Sequence, residues 1–243
     1  MKACNKSDIA VTIRILITSR NRAMTAAAAA IRPHNDPYGP VRVELRKKQT
    51  ELEVIIETAR LRVVSVNNDQ YTEELVRLYE DKKVNALVGS GSTLERSLVF
   101  AKIARWQKRL QDGNPFSGYV VIEKQTGDFV GQIILKPVKD KAAGADKFVL
   151  GVAEIGYLSV EKHWGKKYAQ EYTNAIVNHL VPELIFQKYQ VAGQPITTIM
   201  ATARVDNTAS KSVLAKFMEH TGTKPRYGSM REWYEHQYVP SQI

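Results

Sequence analysis

The sequence predicts a mixed α/β (α+β) domain, and three observations predict it. From about residue 57, short runs rich in β-branched residues alternate with stretches whose apolar residues recur at helical spacing. Cap and turn residues punctuate the two kinds of run. Apolar residues make up 44% of the 243-residue chain and charged residues 25%, a balance that supports one substantial core and argues against global disorder.

Leu61, Val63 and Val64 mark the first strand of that domain. Asn67 to Asp69 then precede a helix with Tyr71, Leu75, Leu78 and Tyr79 on one face. Ser92 and Glu95 form a capping-box pair that predicts the start of a second helix, since each side chain can satisfy an orphan backbone amide of the other. Val99, Ile103, Trp106 and Leu110 line one face of it, and Gly113 is a natural stop. Two strands, Tyr119–Lys124 and Phe129–Leu135, are joined as a hairpin through Gln125, Thr126, Gly127 and Asp128. Lys139–Lys147 reads as a loop, and a long strand follows from about Phe148 to Val160. The next helix carries Tyr168, Tyr172, Ala175, Ile176 and His179 in one stripe, and Pro182 is expected to end or kink it. Ile196–Ala203 reads as a strand, and Ser210–Met218 as a helix entered through Asp206 and Asn207.

The charge is unevenly spread. The formal net charge is +10, but residues 1–50 hold ten Lys/Arg against three Asp/Glu, leaving the other 193 residues only +3. Those first 50 residues read as a basic, poorly ordered tail and linker, and 51–243 as the domain. Residues 1–32 carry six bases and one acid, Asp8, a bias loosely like an organelle presequence; an unstructured tail, or a start at Met24, is the plainer reading. Ala26–Ala30 and the cluster Pro33, Pro37, Gly39 and Pro40 read as linker. The apolar run Ile9–Thr18 is short and contains Arg14, so no membrane span is expected. A single cysteine, Cys4, excludes an internal disulfide framework and fits a reducing compartment. The five histidines show no metal-ligand spacing.

The informative segment runs from Glu154 to Ala169. A strand enters a short turn, Lys162-His163-Trp164-Gly165-Lys166-Lys167, and the turn opens a helix. The first helical amides have no intrahelical partner, and with the helix dipole they make an anion site able to hold a pyrophosphate. Lys162, Lys166 and Lys167 add charge at its rim. A basic turn before a helix is also an ordinary solvated surface feature.

Here the chain resembles the GNAT superfamily of acetyl-CoA-dependent N-acetyltransferases, in particular its ribosomal-protein-alanine acetyltransferase-like branch. Ala153-Glu154-Ile155-Gly156-Tyr157 is similar to that branch's "AEIGY", and Trp164-Gly165-Lys166-Lys167-Tyr168-Ala169-Gln170-Glu171 to its "WGKGYATEA". Asn207-Thr208-Ala209-Ser210 and Val213-Leu214-Ala215-Lys216 resemble its "N-x-x-S" and "V-L-x-K", and Thr58-Ala59-Arg60-Leu61-Arg62 its first strand. The resemblance covers roughly residues 57–220. Two positions depart from it: Lys167 replaces the second glycine of the turn, and Phe217-Met218-Glu219 replaces "Leu-Gly-Phe".

The resemblance implies the GNAT fold: a mostly antiparallel twisted sheet of six to seven strands flanked by about four helices, with the fourth and fifth strands splayed around a pantetheine arm. It implies acetyl-CoA as co-substrate, no metal, and a primary amine acceptor. That acceptor is a protein N-terminus, a ribosomal protein's included, or a small molecule. Leu158, Ser159 and Val160 would pair with the arm, and His163, Trp164, Gly165, Lys166, Lys167 and Tyr168 would surround the pyrophosphate. Asn207 would meet the pantetheine amides, with helix capping as its other role. Glu154 is the candidate base, or else a structural glutamate paired with Arg or Lys. Ser210 is the candidate proton relay to the leaving thiolate, with the phenols of Tyr157 and Tyr172 as alternatives. The His163 ring is not taken as a base, because the phosphate turn points away from the thioester. Strand alternation places Glu154, Gly156 and Leu158 on one face and Ile155, Tyr157 and Ser159 on the other. Residues Tyr71–Gly113 and Thr221–Tyr238 would choose the acceptor. Other readings are a non-catalytic CoA-binding module and a tail-driven RNA- or ribosome-docking protein. The expected compartment is the cytoplasm, with an organelle matrix as the minor alternative, and the expected state a monomer or homodimer.

Overall fold

The computed structural model describes residues 36–140 and 147–239. The readings made for Cys4, the presequence-like bias, Ala26–Ala30 and Pro33 lie outside those residues, as does most of the loop within Lys139–Lys147.

In chain order the described residues form β1 (Arg42–Lys48), β2 (Glu51–Glu57), β3 (Leu61–Ser65), α1 (Thr72–Glu80), α2 (Lys82–Asn85) and α3 (Arg96–Gln111). There follow β4 (Gly118–Glu123), β5 (Phe129–Lys139), β6 (Phe148–Ser159), α4 (Tyr168–Asn174), α5 (Val181–Phe186) and the two-residue strands β7 (Gln190–Val191) and β8 (Gln194–Pro195). The chain closes with β9 (Thr198–Arg204), α6 (Thr208–Leu214), β10 (Glu219–Arg226) and β11 (Ser229–Gln237). One nine-stranded sheet runs β1-β2-β3-β4-β5-β6-β9-β11-β10, and β7 pairs with β8 apart from it. Every neighbouring pair in the large sheet is antiparallel except β6 and β9. The sheet is therefore mixed and mostly antiparallel as expected, with more strands than expected.

Part of the excess is the β1–β2 hairpin, which precedes the strand expected first. β1 falls inside the 1–50 segment read as tail and linker. Val43 and Leu45 alternate with charged residues and lie opposite Ile56 and Val54, so one face of the hairpin is apolar and joins the core. The sheet's outer strands are β1, which exposes Arg42, Arg46, Lys47 and Lys48, and β10, which contains Pro225 and is bulged between His220 and Gly222.

The sheet divides the core in two. On β4, Tyr119 and Val121 enter the layer under α4 and α5, while Val120 and Ile122 enter the layer under α1 and α3. Val99, Ile103, Trp106 and Leu110 are all buried, as their 3.6-residue spacing predicts. Each such side chain contributes about 1.5–3 kcal/mol by leaving water. Gly113 ends α3 in a Schellman arrangement. Its φ is +73°, in the left-handed region, Asn114 N–H donates to Arg109 O at 2.8 Å, and Gly113 N–H donates to Leu110 O at 3.0 Å.

Two local expectations are corrected. The Ser92–Glu95 capping box does not form: α3 begins at Arg96, and Glu95 is itself the cap residue, with no side-chain cap bond. Leu94 N–H instead donates to Tyr79 O at 3.0 Å, which ties the segment to the end of α1 before a helix can start. Pro182 neither ends nor interrupts the long helix at its own position. Residues Ala175–Leu180 widen into a π-helical turn, and Pro182 then sits in the first turn of α5, where a missing N–H costs least.

Candidate active site

β6 and β9 pair only where Val152, Ala153 and Glu154 meet Thr198, Ile199 and Met200. β6 nevertheless continues to Ser159 and β9 to Arg204. Beyond Glu154 the two strands part, which is the expected splay.

The ladder on the other side of β6 decides which main-chain groups face that gap. Val160 N–H donates to Val130 O at 2.9 Å, and Leu135 N–H donates away from β6, to Ser117 O at 2.9 Å. Alternate residues of an antiparallel strand bond to the same neighbour. Leu158 and Val160 therefore address β5, and Ile155, Tyr157 and Ser159 turn their N–H and C=O groups toward the gap. Of the three residues expected to pair with a ligand there, Ser159 turns its main chain toward the gap, while Leu158 and Val160 turn theirs toward β5; Tyr157, outside the three, faces the gap as well. The Ser159 carbonyl also accepts from the Trp164 indole N–H at 2.9 Å.

Side chains follow the expected alternation. Leu158 packs in the α1–α3 layer. Tyr157 and Ser159 point toward α4 and α6, where Tyr157 Oη lies 2.9 Å from Ser210 Oγ and Ser159 Oγ lies 3.0 Å from Tyr172 Oη. The Tyr157 and Tyr172 rings meet edge-on with centroids 5.4 Å apart. Burial pushes the Tyr157 phenol up to about 12, so it keeps its proton at neutral pH. The expected serine and its phenol alternative are thus one hydrogen-bonded pair linking β6 to α6. Asn207 caps α6, its Oδ1 accepting the Ser210 N–H at 3.0 Å.

The turn after β6 offers its amides later than expected. His163 N–H is used by Val160 O at 3.0 Å and Trp164 N–H by Glu161 O at 2.9 Å. The N–H groups of Gly165, Lys166, Lys167, Tyr168 and Ala169 find no acceptor among the described residues. Gly165 (φ +77°) and Lys167 (φ +62°) are both left-handed, which curls consecutive amides toward one concave side. The value of a glycine at 167 is thereby conformational, and the lysine costs about 1–2 kcal/mol there. The His163 ring is buried beneath the turn, 5.9 Å from the Tyr168 ring. Burial, then Lys166 and Lys162, lower its pKa, which favours the neutral ring, and its Nε2 has no hydrogen-bond partner among the described residues.

A buried carboxylate holds the turn in place. Glu171 accepts from Thr58 Oγ1 at 2.6 Å, Arg60 N–H at 2.8 Å and Arg60 Nε at 2.7 Å. Arg60 also donates to Lys166 O at 3.0 Å and stacks on Tyr168 at 4.6 Å. This joins the Thr58–Arg62 motif to the Trp164–Glu171 motif, a link that neither shows alone.

Glu154 is buried and already engaged. Its carboxylate accepts from Arg226 Nη2 at 2.7 Å and from Tyr227 Oη at 3.1 Å to each oxygen, with Lys136 Nζ at 3.4 Å. Arg226 and Tyr227 lie at the tip of the β10–β11 hairpin, 72 and 73 residues away. That is the ion-paired glutamate of the two sequence readings; a base needs a lone pair open to the incoming amine.

The described residues thus build a mixed sheet whose parallel pair opens beside a run of unpaired amides, and residues 60–217 match the acetyltransferase (GNAT) domain family: the chain belongs to it. The chain is 32% identical over 85 residues to the uncharacterized protein YkkB of Bacillus subtilis (strain 168), a match spanning 34% of this chain and 44% of that protein. The GNAT-family acetyltransferase of Bacillus anthracis superposes with a TM-score of 0.57 at 18% identity, covering 75% of this chain and 98% of that one. RimL, the ribosomal L7/L12 alpha-N-protein acetyltransferase, in complex with coenzyme A, superposes with a TM-score of 0.56 at 15% identity, covering 75% and 97%. These two likenesses are of fold. Among the described residues no helix is long and apolar enough to cross a membrane.

Proposed function

We propose that the protein moves an acetyl group from acetyl-CoA to a primary amine by direct attack in a ternary complex. The observation that carries this reading is the run of five unpaired amides, Gly165 to Ala169, leading into the gap between β6 and β9. Acetyl-CoA supplies the acyl group as an activated thioester. The amides of 165–169 hold its pyrophosphate, with Lys166 and Lys167 at the rim. The gap-facing main chain of Tyr157 and Ser159 aligns the pantetheine arm, and an N–H there polarises the thioester carbonyl; such a donor contributes about 2.7–4 kcal/mol to acyl transfer.

In the balance of the reaction a C–N bond forms and a C–S bond breaks. The proton lost by the amine ends on the departing sulfur or in solvent. The Tyr157–Ser210 pair steadies that sulfur with a hydrogen bond, since a phenol near 12 donates a bond far more readily than its proton. Glu154 acts as a positioning residue that holds the hairpin tip over the gap. The acceptor is a protein N-terminus or a small-molecule amine; a protein acceptor agrees with the name of the RimL neighbour. The cytoplasm, where acetyl-CoA meets nascent N-termini, is the compartment this reading favours.

The test is a melting curve followed by an assay of CoA release. Ligand at a hundred times its Kd adds about 2.7 kcal/mol of stability, a rise of roughly 5–11 °C for a chain of this size. No shift at millimolar acetyl-CoA overturns the reading. A shift without release on peptide, polyamine and aminoglycoside panels favours a non-catalytic binding module. Glu154→Gln should keep the shift and lose less than about tenfold in kcat/KM. A loss of about 10²–10⁴ with a flattened acid limb would make Glu154 the general base after all.

A further inference from the structure

The face of β5 and β6 toward α1 and α3 carries more positive charge than Glu154 can balance. Lys136 lies opposite Glu154 in the β5–β6 register, Arg226 reaches the same carboxylate, and the Tyr227 ring lies between Lys136 at 5.5 Å, Arg226 at 4.9 Å and Arg231 at 5.6 Å. From α3, Lys102 sits over the Tyr79 and Trp106 rings at 5.3 and 5.6 Å. Arg204, near Arg231, is already paired with Asp206 at 2.7 Å.

Polar groups without partners lie on the same face. Gln132, in register with Leu158, is fully buried, and neither its amide N nor its amide O has a partner among the described residues. The buried Tyr79 hydroxyl and Arg226 Nε are likewise unpaired. An atom added at Gly156, between Leu158 and Glu154 on that face, would meet nothing within 4 Å. Buried donors and acceptors left unpaired beside open space cost about 1–3 kcal/mol each unless a ligand satisfies them.

We propose that the acceptor is a primary amine carrying a carboxylate or phosphate a few bonds from its nitrogen, and that Lys102, Lys136 and Arg226 form the subsite for that anion. The proposal rests on the acetyl-transfer reading and names its acceptor. Two further facts agree with it. Lys102 and Arg226 come from the two segments, Tyr71–Gly113 and Thr221–Tyr238, expected to choose the acceptor. Burial, then Lys136 and Arg105, bring Lys102 down to about 8; an acceptor ammonium in the same field is pushed toward its neutral, nucleophilic form without a dedicated base.

The test uses the full chain with three peptides that share an N-terminal serine and carry aspartate, asparagine or lysine at the next two positions. β-Alanine and its amide form the small-molecule arm. CoA release is followed at low and high salt, and peptide binding is measured separately with CoA present. The expected result is at least a tenfold preference in kcat/KM for the acidic peptide over the neutral one, or for β-alanine over its amide, shrinking with salt. Which arm shows it tells a protein N-terminus from a small acceptor. Lys136→Gln and Lys102→Gln should each remove most of the preference and leave the acetyl-CoA melting shift intact. Equal turnover of charged and neutral acceptors with that shift present overturns the subsite and leaves acetyl transfer standing. Selective, salt-sensitive binding of the anionic acceptor without turnover or shift upholds the subsite and removes acetyl transfer. The absence of both turnover and selective binding overturns the subsite.

Discussion

Replacing Gly165 with valine should weaken acetyl-CoA binding by about a hundredfold or more. Room for the side chain is not the difficulty, because a Cβ at this position meets nothing within 4 Å. The difficulty is φ, which at +77° is a true outlier for a β-branched residue. Relaxing it to a negative value swings the peptide planes on either side of residue 165, taking about two amides off the concave side of the turn. A hydrogen bond to a charged group is worth about 1.5–3 kcal/mol, so losing two costs at least about 3 kcal/mol, or more than a hundredfold in Kd. Calorimetric titration reads this directly, and an unchanged Kd would take the turn out of the binding site. Lys167→Gly is the opposite control: it relieves a left-handed lysine at +62°, and should preserve affinity and leave stability equal or higher by about 0.5–1 kcal/mol.

The second large effect is on stability. Glu171→Ala removes the acceptor shared by the Thr58 hydroxyl, the Arg60 N–H and Arg60 Nε; the hydroxyl can still donate to Leu61 O at 3.1 Å and the guanidinium to Lys166 O at 3.0 Å, but the Arg60 N–H loses its partner. Removing one partner of a buried charged network typically costs about 3–5 kcal/mol; with Arg60 partly solvated, about 3 kcal/mol is expected. That is a fall in Tm of roughly 6–12 °C for a chain of this length. Urea unfolding should show the same loss with an unchanged m-value. Because Arg60 also holds Lys166 O at 3.0 Å, acetyl-CoA should restore less of the lost stability than in the parent protein. A Tm within 2 °C of the parent, by the same scaling, would mean that the two motifs are not coupled through this carboxylate.

Much of the scaffold was legible in the sequence because it is local. The Val99–Leu110 stripe has helical period, and Gly113 supplies the left-handed residue its helix end demands. The Asn207 cap and the Tyr119–Leu135 hairpin also follow from neighbouring residues. The β1–β2 hairpin carried a signal too, in the two-residue alternation of Val43 and Leu45 and of Leu52, Val54 and Ile56, but the surrounding Arg and Lys made the segment look like a tail. Ser92–Glu95 satisfied a local pattern that a distant bond, Leu94 to Tyr79, overrode. The chemical site was least legible because its decisive contacts are long-range. Nothing near Glu154 announces Arg226 and Tyr227, and the parity that swaps Leu158 for Tyr157 depends on which edge of β6 meets β5.

The borders of the sheet bear on how two copies can meet. Main-chain groups at an open border invite a foreign strand, yet one border here is fringed with Arg42, Arg46, Lys47 and Lys48 and the other is broken by Pro225 and a bulge. Two copies zipped along the first border would crowd four bases against a single acid on each strand, Glu44, which already pairs with Arg42 and Arg46, and along the second would lose rungs of the shared ladder. Among the described residues, both borders therefore disfavour association by strand addition, which guards against runaway polymerisation through the sheet.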